Sequence, residues 1–179
     1  WQQGLTEGIF QFDAQFVQQT LRKMHPTSFL EISALNALNR PGPIQFIPQF
    51  IARMHKEEPI EYVHPKAEPI LKETYGIIVY QEQVMQLVRA LAGFTRGQSD
   101  NVRKAMGKKI IAMLDELEGL FYEGCEKEGT LDRATAKDLW EKFKEFAKYA
   151  FNKSHAIAYS IVANQCAYLK AHYTPEFLA

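Results

Sequence analysis

The sequence lacks several features that would place it in a specialised class of protein. Its two cysteines, Cys125 and Cys166, lie far apart and outside any CxxC spacing. This argues against a zinc site or a disulfide scaffold and for a reducing compartment. The five histidines show no HxxxH or HExxH spacing, so we expect no histidine-based metal site. No apolar run reaches membrane-spanning length and no signal-peptide pattern is present, so we expect a cytoplasmic protein.

The chain also lacks net charge, with 21 basic and 21 acidic residues among 179. Bulk charge alone therefore does not predict a nucleic-acid binder. The distribution is uneven, however, because charged residues in 101–110 are all basic and an acid-rich stretch follows. Hydrophobic residues make up 46% and aromatic residues 12%, which is ample for a packed core. Because the chain starts at Trp1 and ends at Ala179, we expect a piece of a longer protein.

Apolar residues recur at three- and four-residue steps through most of the chain, which predicts an all-α fold. We expect an extended segment over 1–12 and a multi-helix domain over 13–179. Ser28 and Asp132 are predicted N-caps, and prolines and glycines mark the helix ends. The last predicted helix, 153–172, is apolar nearly all round, so we expect it to be the central buried element. The other predicted helices cover about 14–24, 29–38, 44–54, 66–74, 81–92, 99–107, 110–127 and 133–147.

A cluster of four cations, Arg103, Lys104, Lys108 and Lys109, occupies seven residues without an intervening acid. Cations that lie together repel one another, and such a cluster commonly binds an anion, most often phosphate. The arginine fork can hold two phosphate oxygens at once, and the lysines add point charge. The alternative is a solvated helix end, where cations interact favourably with the helix dipole.

A second candidate site lies where the last predicted helix begins, at Asn152, Lys153, Ser154 and His155. Free amides in a first helical turn bind anions, and these side chains can add further donors. Tyr159 follows His155 by four residues, so both rings lie on one helix face and could flank a base or sugar. The alternative is an ordinary N-cap with a histidine buried in the core.

Two further segments carry unusual polar residues. Arg40 is presented by the rigid Arg40-Pro41-Gly42-Pro43 break, which could also be a simple helix terminator. Gln81-Glu82-Gln83 lies on a mostly apolar helix, so we expect at least one of the three to bond buried backbone. Ser154 and His155 are adjacent and point about a quarter-turn apart, so they do not form a nucleophile–base pair.

Taken together, five blocks of sequence resemble the fingers domain of bacterial C-family replicative DNA polymerases, the DNA polymerase III α subunit. The resemblance covers essentially the whole chain, in order and with matching gaps, and it extends to the N-terminal run Gly8-Ile9-Phe10-Gln11-Phe12. The blocks are Ala37 to Pro43, Thr74 to Met85, Arg103 to Lys109, Phe151 to Tyr159, and Leu169 to Tyr173.

The resemblance implies template-directed DNA synthesis from dNTPs on primer-template DNA, within a chain that also carries a palm and a thumb. In that family, palm aspartates hold two Mg²⁺ ions, and the fingers close over the incoming nucleotide. Those aspartates are absent here, so the fragment implies no cofactor of its own and should be inert alone. Contacts with the sliding clamp, τ and the proofreading exonuclease would lie in regions that this chain does not contain. Residues 1–12 would follow the palm.

The resemblance also assigns roles to individual residues. Arg103 and Lys104 would face the triphosphate, although the family commonly has two arginines, and Lys104 loses the bidentate fork. Ala150 stands where the family often has glycine. The residues that would line the nucleotide pocket are Asn152, Lys153, Ser154, His155 and Tyr159, and those that would contact DNA or nucleotide are Arg40, Lys108 and Lys109.

Two other classes of protein remain open. A stand-alone helical nucleic-acid-binding module would use the same cations on the DNA backbone and show no preference for free nucleotide. A purely structural helical scaffold would bind neither DNA nor nucleotide.

Overall fold

The computed structural model describes residues 1–108 and 110–179, without the side chain of Ile111. Within these residues the protein is built from α-helices and short 3₁₀ turns, with no β-strand, so the all-α prediction is confirmed. The α-helices are α1 (Gln15–Met24), α2 (Phe29–Leu38), α3 (Ile47–Met54), α4 (Glu68–Leu71), α5 (Gln81–Ala92), α6 (Arg96–Lys108), α7 (Ile111–Glu128), α8 (Arg133–Ala147), α9 (Lys153–His172) and α10 (Thr174–Leu178).

Several helix ends lie where the local sequence predicts them. Ser28 and Glu31 form a capping box at the start of α2, and Asp132 accepts from Thr135 N at the start of α8. The left-handed residues Gly93 and Gly129 end α5 and α7. Each of these signals works within one helical turn, so the sequence alone is enough to place it.

One hydrophobic core, the α5–α8 core, is formed by the buried faces of α5, α6, α7 and α8. Its centre is aromatic: Phe121 is fully buried, and its ring centroid lies 4.9 Å from that of Trp140 and 5.7 Å from that of Phe143. Helices α5 and α7 pack tightly at Gly124, where an added Cβ would lie 2.3 Å from the carbonyl oxygen of Ala92. Helix α6 packs against α5, α7 and α8 in this core.

A second hydrophobic core, the α2–α9 core, joins the N-terminal segment, α1, α2, α3 and α9. The largest buried side chains in it include Phe12, Phe50 and Tyr80. Burial raises the pKa of Tyr80 to about 12, and a bond to the Ser33 hydroxyl opposes that rise. Helix α2 is the main neighbour of α9 in this core.

Two of the points at which the chain crosses between the two cores, at 80–84 and 149–151, touch each other. Tyr80 belongs to the α2–α9 core and Val84 to the α5–α8 core. Tyr149 packs on the α5–α8 core, whereas Phe151 packs on the α2–α9 core. The amide of Gln81 donates to the carbonyl of Phe151 at 2.9 Å, so the start of α5 is fixed beside the start of α9.

The prediction that 153–172 is a central buried helix is correct in its bounds but wrong in its burial. Only the small residues Ala156, Ser160 and Ala163 are buried on α9, whereas Ile161 and Val162 are 46% and 45% exposed. Small side chains at four- and three-residue steps let α9 lie close to α2, and this close approach leaves the larger apolar residues on the outside. None of the helices in the described ranges is long and apolar enough to cross a membrane.

Three smaller expectations also need correction. Residues 1–12 form successive turns rather than an extended segment, with positive φ at Gly4 and Gly8. Residues 43–46 form a 3₁₀ turn before α3 begins. Helix α6 begins at Arg96 rather than near residue 99, because Thr95 and Gln98 bond each other in a capping arrangement.

Candidate functional site

The described cations of the basic cluster, Arg103, Lys104 and Lys108, lie on one side of α6, whose other side is buried in the α5–α8 core through Val102, Ala105 and Met106. The side chains of Arg103 and Lys104 are 39% and 50% exposed. Because their helix is anchored through its buried face, both cationic heads reach solvent from fixed backbone positions.

Asp100, one turn earlier on α6, holds both cations. Its Oδ1 lies 2.7 Å from Arg103 Nη2, and its Oδ2 lies 3.0 Å from Lys104 Nζ. The bonds from Lys104 and Arg103 lower the pKa of Asp100. The sequence analysis did not consider this pairing, although spacings of three and four residues predict it.

The two remaining cations of the cluster are Lys108 and Lys109. Lys108 is exposed at the end of α6. Lys109 lies outside the described residues, so its predicted contact stays a prediction from the sequence.

The rings of His155 and Tyr159 lie on one face of α9, with centroids 4.0 Å apart. His155 is exposed and Tyr159 is half-buried, so the alternative of a core histidine is wrong. The ring series continues at both ends, with Phe151 5.3 Å from His155 and Phe10 5.2 Å from Tyr159. Sequence reasoning gave Phe10 no role here, because it lies about 150 residues away from Tyr159 in the chain.

The first turn of α9 is engaged by two carboxylates. Glu82 accepts from Asn152 Nδ2 at 2.7 Å and from the amide of Lys153 at 2.9 Å. Lys153 Nζ lies 2.6 and 2.7 Å from the two oxygens of Glu73. Ser154, the remaining polar residue of the turn, is exposed.

Arg40 points into the protein and joins the end of α2 to the crossing at 149–151. Its Nη2 donates to the carbonyl of Tyr149 at 2.9 Å and its Nε to that of Ala37 at 3.0 Å. Its guanidinium carbon lies 4.0 Å from the ring centroid of Phe151, a cation–π distance. Burial lowers the pKa of Arg40. The expectation of simple helix termination thus misses a bridging role, and a nucleic-acid contact stays a prediction.

Gln83 confirms the expectation for the polar triplet on α5. Its Oε1 accepts from the amides of Val79 and Tyr80 at 2.9 and 3.0 Å, and its Nε2 donates to Thr74 Oγ1 at 2.8 Å. The side chain therefore fixes the loop that enters α5.

The structure places the two predicted groups of site residues on different helices. Among the described residues, no hydrogen bond, ion pair or ring contact joins Arg103 or Lys104 on α6 to α9. The cleft beside Lys153, between Glu73 and Tyr80, holds no space for a water molecule. In this conformation the start of α9 is a surface rather than a closed pocket.

Potential metal-ligating side chains do not cluster in the part of the chain that the structure describes. In residues 1–108 and 110–179, no group of three or more His, Cys, Asp or Glu side chains is arranged to hold a metal ion.

The protein is all-α, as the resemblance to the fingers domain implies, and it carries an exposed basic helix, α6, and an exposed ring face on α9. The family model described as the bacterial DNA polymerase III alpha subunit finger domain matches residues 1–129. The chain belongs to that family.

Curated relatives match nearly the full chain. The DNA polymerase III subunit alpha of Aquifex aeolicus is 45% identical over 99% of this chain, and that of Halalkalibacterium halodurans is 47% identical over 98%. The same subunit of Chlamydia pneumoniae is 48% identical over 99%. The chain spans 15%, 16% and 14% of these three relatives, respectively.

Proposed function

We propose that the chain binds the triphosphate of an incoming dNTP, together with primer-template DNA, as the fingers of a cytoplasmic DNA-directed DNA polymerase. The observation that carries the proposal is the pair of exposed cations on α6, Arg103 and Lys104, held on the α5–α8 core. A rigid helix that presents two cations to solvent suits a multiply charged anion.

A bound triphosphate would take the place of Asp100 as the hydrogen-bond acceptor of the two cations. In the present conformation Asp100 accepts from Arg103 and Lys104, at 2.7 and 3.0 Å. A triphosphate carries more charge than one carboxylate and can replace these bonds. The described cations of the cluster are Arg103, Lys104 and Lys108. Together with the one acid, Asp100, they leave two net positive charges that can interact with phosphate.

The chemistry of phosphoryl transfer fits this division of labour. The reaction needs charge neutralisation and in-line positioning more than covalent help from the protein. Here the chain's part is to bind and orient the nucleotide, with Arg103 and Lys104 on the phosphates and His155 and Tyr159 beside the base or sugar. The two Mg²⁺ ions would be bound by palm aspartates elsewhere, so the isolated chain is inert.

The proposed partners follow from the same role. Besides dNTP and primer-template DNA, they are the palm and thumb of a longer chain, and holoenzyme subunits that bind outside this domain. The exposed apolar face of α9, which includes Ile161 and Val162, supports a contact with such neighbouring elements.

Arg103→Ala in a full-length α subunit that contains this domain tests the proposal. Loss of a charged hydrogen-bond partner costs roughly 1.5–3 kcal/mol, so kcat/KM for dNTP should fall about ten- to a hundredfold. Single-nucleotide incorporation on a primed template measures it. Arg133→Ala is the matched control, since Arg133 is an exposed arginine on α8 with one ion pair, to Glu126 at 3.3 Å.

Unchanged incorporation at low dNTP in Arg103→Ala would show that the cations are only a solvated helix end. The competing function, a stand-alone nucleic-acid-binding module, is separated by titrating dNTP against duplex DNA. Loss of DNA affinity in Arg103→Ala but not in Arg133→Ala, with no effect specific to dNTP, would favour it.

A further inference from the structure

A chain of hydrogen bonds runs from α5 to the predicted nucleotide face of α9. Glu82 Oε1 accepts from Asn152 Nδ2 at 2.7 Å, and Asn152 Oδ1 accepts from the amide of His155 at 2.9 Å. The second oxygen of Glu82 accepts from the amide of Lys153 at 2.9 Å. One carboxylate thus satisfies one free amide of the α9 first turn directly and a second one through Asn152.

The carboxylate also determines which way the Asn152 amide points. An amide side chain has one donor edge and one acceptor edge. Glu82 has only acceptors when ionised, so the NH₂ group of Asn152 must face it, and the oxygen then faces His155 N. A reversed amide would set oxygen against carboxylate and NH₂ against N–H. The helix cap therefore depends on Glu82 as well as on Asn152.

These hydrogen bonds from Glu82 through Asn152 to His155 N, called the relay below, lie where they can affect the predicted nucleotide face. The relay lies where the two chain crossings meet, beside the bond from Gln81 N to the Phe151 carbonyl at 2.9 Å. His155 follows Asn152 by one helical turn, and its ring stacks on that of Tyr159 with centroids 4.0 Å apart. A change in the cap would move both rings relative to the α5–α8 core, which also carries α6.

We propose that Glu82 is a positioning residue for nucleotide binding. Through Asn152 it sets the first turn of α9 and thereby aims His155 and Tyr159, without touching the nucleotide itself. This inference rests on the proposed function, in which those two rings flank the incoming dNTP.

A polarity swap tests the relay in a full-length α subunit that contains this domain. In Glu82→Gln the new NH₂ group must face either the NH₂ group of Asn152 or the amide of Lys153, so one of these two bonds is lost, and in Asn152→Asp two carboxylates face each other. The double variant restores every bond. Its introduced glutamine can accept from Lys153 N and donate to the introduced aspartate, and that aspartate can accept from His155 N.

Each single variant should raise the KM for dNTP about ten- to a hundredfold with a smaller effect on kcat, because misplacement rather than lost chemistry is the defect. Each should also speed amide hydrogen exchange in the first turn of α9. The double variant should return both quantities close to the wild-type values. Glu118→Gln is the matched control, since Glu118 accepts from Tyr122 at 2.5 Å and from Lys144 at 3.0 Å on α7.

Failure of the double variant to restore a folded protein's KM would overturn the relay. Faster exchange with unchanged KM in both single variants would make Glu82 purely structural and overturn the proposal as well. If a single variant does not fold, Glu82→Ala removes the same bonds without introducing a like-polarity contact and should give the same rise in KM. Arg103→Ala separates the two ideas, because a raised KM there together with unaffected Glu82 variants would reject only this inference.

Discussion

Helices α7 and α9 are the two longest in the described structure, and they bury opposite kinds of side chain. Helix α7 carries several acids, yet it buries Leu114, Leu117 and Phe121. Helix α9 has no acid at all, yet it buries only alanines and a serine. The comparison shows that the absence of acidic residues does not predict burial. The number and spacing of the neighbouring helices determine which side chains a helix buries.

The neighbours explain the difference. Helix α7 packs against α5, α6 and α8, so a wide face of it needs large apolar side chains. Helix α9 packs mainly against α2 along a narrow line of small residues, and Asn36 donates to Ser160 Oγ across that line at 3.4 Å. The rest of its apolar surface, including Ile161, faces outward.

The largest effect should come from opening a cavity in the aromatic centre. Phe121→Ala removes a fully buried ring that packs on Trp140, and it should lower the free energy of unfolding by about 3–5 kcal/mol. Ile161→Ala on α9 should change it by no more than about 0.5 kcal/mol. Chemical denaturation of the 179-residue chain measures both. Equal losses would mean that α9 is as buried as α7.

A smaller effect is expected from widening the contact between α9 and α2. Ala163 is fully buried there, so Ala163→Leu should destabilise the chain by about 1–3 kcal/mol through overpacking. Val162→Leu adds a methylene at the adjacent exposed position and should stay within about 0.5 kcal/mol. Thermal unfolding distinguishes them, and similar melting temperatures would contradict the narrow-line packing.

The elements that sequence reasoning located correctly depend on short-range signals. The Ser28–Glu31 capping box and the Gly129 helix end involve residues within one turn of each other. The Asp100–Arg103 pair was within reach of the same reasoning and was missed, because the cluster was defined by its cations alone. An i, i+3 search for acids would have found it.

The rest could not be predicted because it depends on contacts that are distant in sequence. Glu82 meets Asn152 across 70 positions, and Arg40 reaches the Tyr149 carbonyl across 109. No local pattern indicates which of three adjacent polar residues on α5 will cap another helix. The exposure of His155 likewise depends on how α9 lies on α2, which its own composition does not determine.

The smallest predicted effect concerns acid stability and compares two tyrosine–glutamate bonds, one in each region. Burial raises the pKa of Glu31, but the bond from Tyr75 and those from Thr27 and Ser28 outweigh it, so the net shift is downward. A carboxyl whose folded pKa is lowered stabilises the protein above its unfolded pKa, about 4.5. That contribution is lost as pH falls through the lower folded value.

Glu31→Gln should therefore flatten the decline of the unfolding free energy between neutral pH and about pH 3, as measured by urea titrations at several pH values. Tyr75→Phe removes one donor, at 2.6 Å, and should flatten it less. Glu118→Gln on α7 should act in the same direction, because the bond from Tyr122 lowers the pKa of Glu118. A Glu31→Gln curve parallel to that of the wild type would show that Glu31 does not contribute to the acid sensitivity of the α2–α9 core, and a parallel Glu118→Gln curve would show the same for the other region.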